Sequence, residues 1–205
     1  MGGGVSQYDY RSNAYYDAYL STFRLNDRQA DIVFLGDSIT LGGRWDEFFQ
    51  SKNVLNRGIG SDVSEGCLNR LDEIEKHAPK MIFLMIGCND LARHILQDEI
   101  VGNVEQILTE TAEKLPECTI YLQSVLPFDE DLQRTQELNS SYQKLADRYE
   151  QCIYVDLYPL FLDENGQQNR NLFSTDRVHL NGEGYRIWIN AISCYVYDEN
   201  GMNQY

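Results

Sequence analysis

Four short stretches of the chain hold side chains able to act on a carbonyl group. Ser38 stands in "DIVFLGDSIT" (31–40), where an apolar run ends at Gly36 and gives way to Asp37, Ser38 and Thr40, residues that favour helix starts. A serine there either caps a helix or, with a base beside it, becomes a nucleophile. Asp176 and His179 share "DRVH" (176–179). A carboxylate three residues before a histidine can curl back to hold Nδ1–H and leave Nε2 free as a base. The plain alternative is a capping aspartate beside an incidental histidine. Asn89, in "MIGCND" (85–90), carries an amide that can donate to a developing negative charge, or it belongs to an ordinary Asn-Asp turn. "NRGIGSDVSEG" (56–66) has glycines at 58 and 60 that would let backbone N–H groups turn inward. It begins like a dinucleotide fingerprint, but Val63 holds the place of the third glycine and no Gly-Lys-Ser/Thr loop occurs, so nucleotide binding is set aside.

The chain has two further histidines. His77 closes a helical pattern before Pro79, where a cation suits a helix C-terminus and the role is structural or solvated. His94, in "LARHILQ", could line the rim of a cleft but has no acidic neighbour in sequence.

The elements that must position these groups alternate. Strand-like runs occupy 31–36, 53–58, 80–86, 118–125 and 152–156; helical patterns occupy 8–22, 44–51, 64–77, 97–115, 130–150 and 181–197. Ile32, Val33, Phe34 and Leu35 are apolar without alternation, as in a strand covered on both faces. Alternating strands and helices imply right-handed crossovers and a parallel sheet of about five strands, with one α/β domain over 1–205 and its core at 27–197. Ser38, the glycine turn and Asn89 would then follow successive strands at the carboxyl edge, where open α/β sheets bind ligands. Residues 157–180 are the least regular, with "DENG" reading as a turn.

Composition narrows the partners. With 32 acidic and 17 basic residues, a formal charge of −15 argues against nucleic acid or an anionic membrane surface. Five scattered cysteines without a CxxC pair suggest reduced thiols, no zinc knuckle and a cytoplasmic setting. No stretch reaches the ~20 apolar residues of a membrane span. "MGGGVS" fits a short myristoylation pattern without a polybasic sequel, so 1–7 is expected to be an unstructured or vector-derived start. Tyrosines crowded into 8–19 are compatible with a homodimer face, although packing on the chain's own sheet explains them as well.

Taken in order, "GDSIT", "GCND" and "DRVH" resemble the SGNH, or GDSL-type, hydrolases over roughly 27–190. The surrounding "NRGIGSD", "EGCLNRLDEI" and "HLNGEGY" are similar to the branch of platelet-activating-factor acetylhydrolase subunits and bacterial carbohydrate acetylesterases. The resemblance implies a three-layer α/β/α, flavodoxin-like fold and a serine esterase without metal or organic cofactor. It makes Ser38 the nucleophile, His179 the base and Asp176 its orienting acid. The oxyanion donors would be the Ser38 N–H, the Ser61 or Gly60 N–H and the Asn89 amide, with Asp37, Asn56 and Asp90 shaping the loops. In relatives the second-block glycine directly precedes the Asp; here Ser61 stands there, with Gly60 one residue earlier. A backbone N–H is available from either. The α/β-hydrolase signature GxSxG is absent around Ser38. The expected substrate is a small acyl ester, a carbohydrate O-acetyl ester first and a short-chain lipid or lysophospholipid ester or thioester second. Arg44, Trp45 and Val178 are expected to line it, Trp45 being equally suited to the core. From another class, the same fold could serve as a non-catalytic carbohydrate-binding or interaction module.

Overall fold

Five apolar segments become parallel strands: β1 (Ile32–Gly36), β2 (Val54–Gly58), β3 (Met81–Met85), β4 (Thr119–Gln123) and β5 (Cys152–Val155). They pair in the order β2-β1-β3-β4-β5, with Phe34 level with Phe83 and Phe83 level with Tyr121. The helices are α1 (Tyr16–Phe23), α2 (Ser38–Leu41), α3 (Trp45–Phe48), α4 (Ser64–Leu68), α5 (Leu71–Glu75), α6 (Cys88–Ala92), α7 (Gln97–Lys114), α8 (Leu132–Ala146) and α9 (Gly182–Val196). The structure is a computed structural model that describes residues 8–128 and 131–197. The expectation for 1–7 lies outside the described residues.

The lack of alternation in β1 has the expected cause. Val33 and Leu35 pack with α4, α5, α7 and α8, while Ile32 and Phe34 pack with α3 and α9 on the opposite face. On the second face the in-register rings form a ladder, Trp45 on Phe34 at 4.0 Å, Phe34 on Phe83 at 5.0 Å and Phe83 on Tyr121 at 4.6 Å. Stacked pairs of this kind contribute about 0.5–1.5 kcal/mol each beyond their buried area.

From β1 the chain crosses by α2 and α3 to β2, then by α4 and α5 over the other face to β3 on the far side of β1. The carboxyl ends of β1 and β3 therefore flank a switch point, the place where such sheets open a crevice. Close packing there depends on two glycines. A Cβ on Gly36 would stand 2.2 Å from the Met85 carbonyl oxygen, and one on Gly58 2.2 Å from the Leu41 nitrogen.

Two expected helices are broken. The 8–22 pattern yields a 3-10 turn at Tyr10–Ser12 and only then α1, because Asp9 caps the turn and Asn13 leaves the helical conformation to bond elsewhere. Its tyrosines largely pack inward, Tyr16 buried with Leu20 and Ile59, whereas Tyr15 remains exposed. The 64–77 pattern splits at Arg70, whose guanidinium is drawn fully into the interior. "DENG" is a turn, with Gly166 at φ 73° and Asp163 accepting the Asn165 and Gln167 N–H groups.

Gly36→Ala should lower stability by roughly 1–3 kcal/mol or more through overpacking against backbone. Gly102→Ala, in the interior of α7 where an added Cβ meets nothing within 4 Å, should raise it by about 0.5–1 kcal/mol. Urea midpoints at unchanged m-value check both; a neutral Gly36→Ala would contradict the packing at the β1 end.

Candidate active site

β1 hands over to α2 within one residue. Asp37 is extended and its Oδ1 accepts the Ile39 N–H at 2.9 Å, so Ser38 becomes the first residue of the helix. Asn56 braces the turn that follows, donating to the carbonyls of Thr40, Leu41 and Gly43 and accepting the Gly58 N–H. The Ser38 Oγ lies 2.8 Å from His179 Nε2, although 141 residues separate them.

His179 is held by the turn that carries it. Phe173 and Leu180 form an isolated antiparallel bridge, and the Ser174 N–H donates to the His179 carbonyl at 2.7 Å. Within this loop Arg177 adopts φ 62°, a left-handed conformation that tightens the turn. Asp176 Oδ2 meets His179 Nδ1 at 2.7 Å, and Oδ1 accepts the Ser174 hydroxyl and the N–H groups of Val178 and His179. These donors, His179 foremost, hold the Asp176 carboxyl well below its ordinary range. An ionised Asp176 requires the proton on Nδ1, which leaves Nε2 to accept from the Ser38 hydroxyl. Ser174 was not foreseen from sequence; its place two residues before an aspartate is the signal that could have found it.

Three donors face the same end of the sheet. The Ser38 N–H begins α2, and Asn89 sits in α6 after Gly87, whose φ of 129° favours glycine and where a Cβ would stand 3.0 Å from both Leu138 and Val125. Asn89 Nδ2 donates to the Asp62 carbonyl at 3.0 Å, which fixes the amide, and reaches Asp37 Oδ2 only at 3.5 Å. On the loop after β2 the positive φ falls on Ser61, at 60°, a conformation that favours glycine. Among the described residues the Ser61 N–H has no acceptor.

Beneath them lies a buried acidic floor. Asp90 accepts the Ser64 N–H and hydroxyl, and its carboxyl is pushed up to about 6 because burial outweighs those bonds. Asp62 pairs with Arg70 at 2.9 Å, both fully enclosed. Asp37 is pushed up to about 7, chiefly by burial, against the opposing Ile39 N–H. Asp37, Asp90 and Asn56 hold loop backbone, the role expected of them, and Asp62 joins them. Arg70, Ser64 and Asn103, which donates to Ser64 Oγ, were not foreseen, since nothing in their local sequence marks them for the interior.

The other candidates separate. His77 is buried, donating from Nδ1 to the Arg28 carbonyl and sitting against Glu73 and Arg57; it is structural and not solvated. His94 is exposed beside Arg134 and is not brought to Ser38. Trp45, for which substrate lining and core were equally open, does not line the site but is core: it is fully enclosed between Phe34 and Trp188, with Nε1 donating to the Thr40 carbonyl. Arg44 is exposed and pairs with Glu47, and Val178 is half-buried beside the His179 turn.

A hydroxyl, an imidazole and a carboxylate in hydrogen-bonded series, at the switch point of a parallel sheet, are the parts an ester hydrolase of the α/β class requires. Residues 34–187 match the GDSL-like Lipase/Acylhydrolase family, and the chain belongs to that family of ester hydrolases. It is 29% identical over 175 residues to human platelet-activating factor acetylhydrolase IB subunit alpha2, covering 82% of this chain and 67% of that one. A GDSL-like lipase from Bacteroides thetaiotaomicron superposes with a TM-score of 0.76 at 25% identity, covering 88% of this chain and 96% of the other. An acetyl-xylooligosaccharide esterase from Geobacillus shares the fold at a TM-score of 0.69 and 19% identity, covering 86% and 98%.

Asp37 makes stability depend on pH. Its folded value, about 7, lies above the ordinary carboxyl value, so the folded chain keeps a proton that the unfolded chain loses. The contribution is fully present below the ordinary value and is lost as pH rises through about 7. Asp37→Asn should therefore melt higher than the native protein at pH 8, with the gap closing toward pH 4. A Tm difference independent of pH would refute a buried, proton-holding Asp37.

Proposed function

We propose that this hydrolase cleaves small acyl esters, acetyl esters foremost, through Ser38, His179 and Asp176. The observation that carries the reading is His179, placed 2.8 Å from the Ser38 hydroxyl and 2.7 Å from Asp176. Ser38 Oγ attacks the ester carbonyl while its proton passes to His179 Nε2. Asp176 stabilises the imidazolium and keeps its orientation. The carbonyl oxygen, now an anion, is met by the Ser38 and Ser61 N–H groups and the Asn89 amide. Collapse expels the alcohol, protonated from Nε2, and leaves an acyl-serine. Water deprotonated by the same histidine then releases the acid.

The acetyl preference follows the acetylhydrolase relative. The side chains of His179 and Asp176 are 45% and 49% exposed, so the leaving-group side is open enough for a sugar. A carbohydrate O-acetyl ester is the preferred substrate, with Val178 beside it; a short-chain lipid or lysophospholipid ester or thioester is the second reading. The described cysteines are all free, three of them buried, which suits a reducing cytoplasmic setting. A second copy of the chain is the macromolecular partner this reading admits, and sedimentation would register it as a doubled mass.

Hydrolysis of p-nitrophenyl esters from acetyl to octanoyl tests the proposal. Turnover should fall steeply beyond acetyl and vanish in Ser38→Ala and His179→Ala, both still folded. Asn89→Ala should reduce kcat by about 10²–10³. Serine-independent turnover would sink the mechanism; a preference for octanoyl would sink the acyl assignment. Retention of acetylated sugars without acetate release would favour a binding module.

A further inference from the structure

We infer that Asn13, on the opening segment of the chain, is a positioning residue for the oxyanion donor at Ser61. The inference rests on the esterase reading above. The Gly60 carbonyl and the Ser61 N–H belong to one planar peptide unit, so they point in opposite directions and fixing one fixes the other. Asn13 Nδ2 donates to the Gly60 carbonyl at 2.7 Å. The Asn13 amide is itself oriented, because its Oδ1 accepts the Tyr15 N–H at 3.0 Å. A carbonyl that accepts a hydrogen bond also polarises its peptide and makes the N–H at the other end a better donor.

The grip matters because Ser61 is held at φ 60°. That conformation favours glycine, and a serine keeps it only where its surroundings leave no alternative. Flipping the 60–61 peptide would relieve Ser61 and turn its N–H out of the site. Such a flip must break the Asn13 bond.

The opening segment is firmly seated to do this. The Tyr16 hydroxyl donates to the Gly66 carbonyl at 2.8 Å, beyond the far end of the same loop, and its ring packs against buried Ile59. Near the second donor, Arg93 Nη1 donates to the Asn89 carbonyl at 3.1 Å while its guanidinium lies 4.4 Å from the Tyr8 ring centre. Asn13 precedes the residues matched by the family, 34–187, so this support comes from a part of the chain that the family match does not include.

Asn13→Asp isolates the effect, since it keeps an acceptor for the Tyr15 N–H but removes the donor to Gly60. It should be assayed with p-nitrophenyl acetate and with phenylboronic acid, which forms a tetrahedral adduct on an active serine, beside Ser38→Ala. The expected result is kcat lower by about tenfold, a fraction of the loss seen when a donor is deleted outright. KM should stay within about twofold and boronate inhibition should weaken by about the same factor as kcat. Adding Ser61→Gly, which accepts positive φ freely, should restore most of the lost kcat. Native kcat in Asn13→Asp, with Ser38→Ala inactive, overturns the inference and leaves the esterase reading intact. A loss that follows a fallen Tm and is not restored by Ser61→Gly assigns Asn13 a merely structural role and overturns it too. Turnover that survives Ser38→Ala, or no ester turnover at all, overturns the reading of the function instead.

Discussion

One buried cation holds the active end of this molecule together. Arg70 is fully enclosed, and it donates to the Gly36 carbonyl at 3.0 Å, the Arg57 carbonyl at 2.8 Å and Asp62 Oδ2 at 2.9 Å. The first two are carbonyls at the ends of β1 and β2; the third belongs to the loop that carries Ser61. Asp62 in turn offers its own carbonyl to Asn89. A single guanidinium thus ties the strand end that presents Ser38 to both neighbouring donor loops. Breaking a buried pair by removing one partner typically costs about 3–5 kcal/mol, because the remaining charge is left without solvent or partner. The register of the site is set by that penalty.

The electrostatics divide between a wet rim and a dry floor. Asp176, half exposed, stays ionised because His179, Ser174 and two backbone N–H groups surround it. Below, Asp37, Asp62 and Asp90 would oppose an anion forming above them. Arg70 neutralises Asp62, Ser64 holds Asp90 with two donors, and burial keeps a proton on Asp37 on the acid side of about 7. On the acid side of about 6, where Asp37 and Asp90 both hold protons, no carboxylate of this floor is left both ionised and without a cation.

Much of the sheet and of the Ser–His–Asp arrangement was legible because its signals are local. Ile32 to Leu35 must be covered on both faces whatever the rest of the chain does, and a carboxylate three residues before His179 can reach it unaided. Other parts were open or misread for an equally physical reason. Trp45 beside "LGG" suits a cleft and a core equally until Phe34 and Trp188 close over it. The 64–77 run has good helical spacing, yet burying Arg70 takes its backbone out of the helix. The opening stretch reads as one amphipathic helix, but Asn13 spends its amide on the distant Gly60 carbonyl.

By itself, then, the amino-acid sequence determined the strand and helix order, the residue types of the reaction and the family motifs that bear them. Each depends on near neighbours along the chain or on a composition that tertiary structure cannot alter. Only the tertiary structure decided that Ser61 adopts the positive φ, that Arg70 is the internal clamp and that Asn13 backs the Gly60–Ser61 peptide. Those outcomes require groups up to 47 residues apart to desolvate together, and the cost of leaving any one unpaired is known only once all are in place.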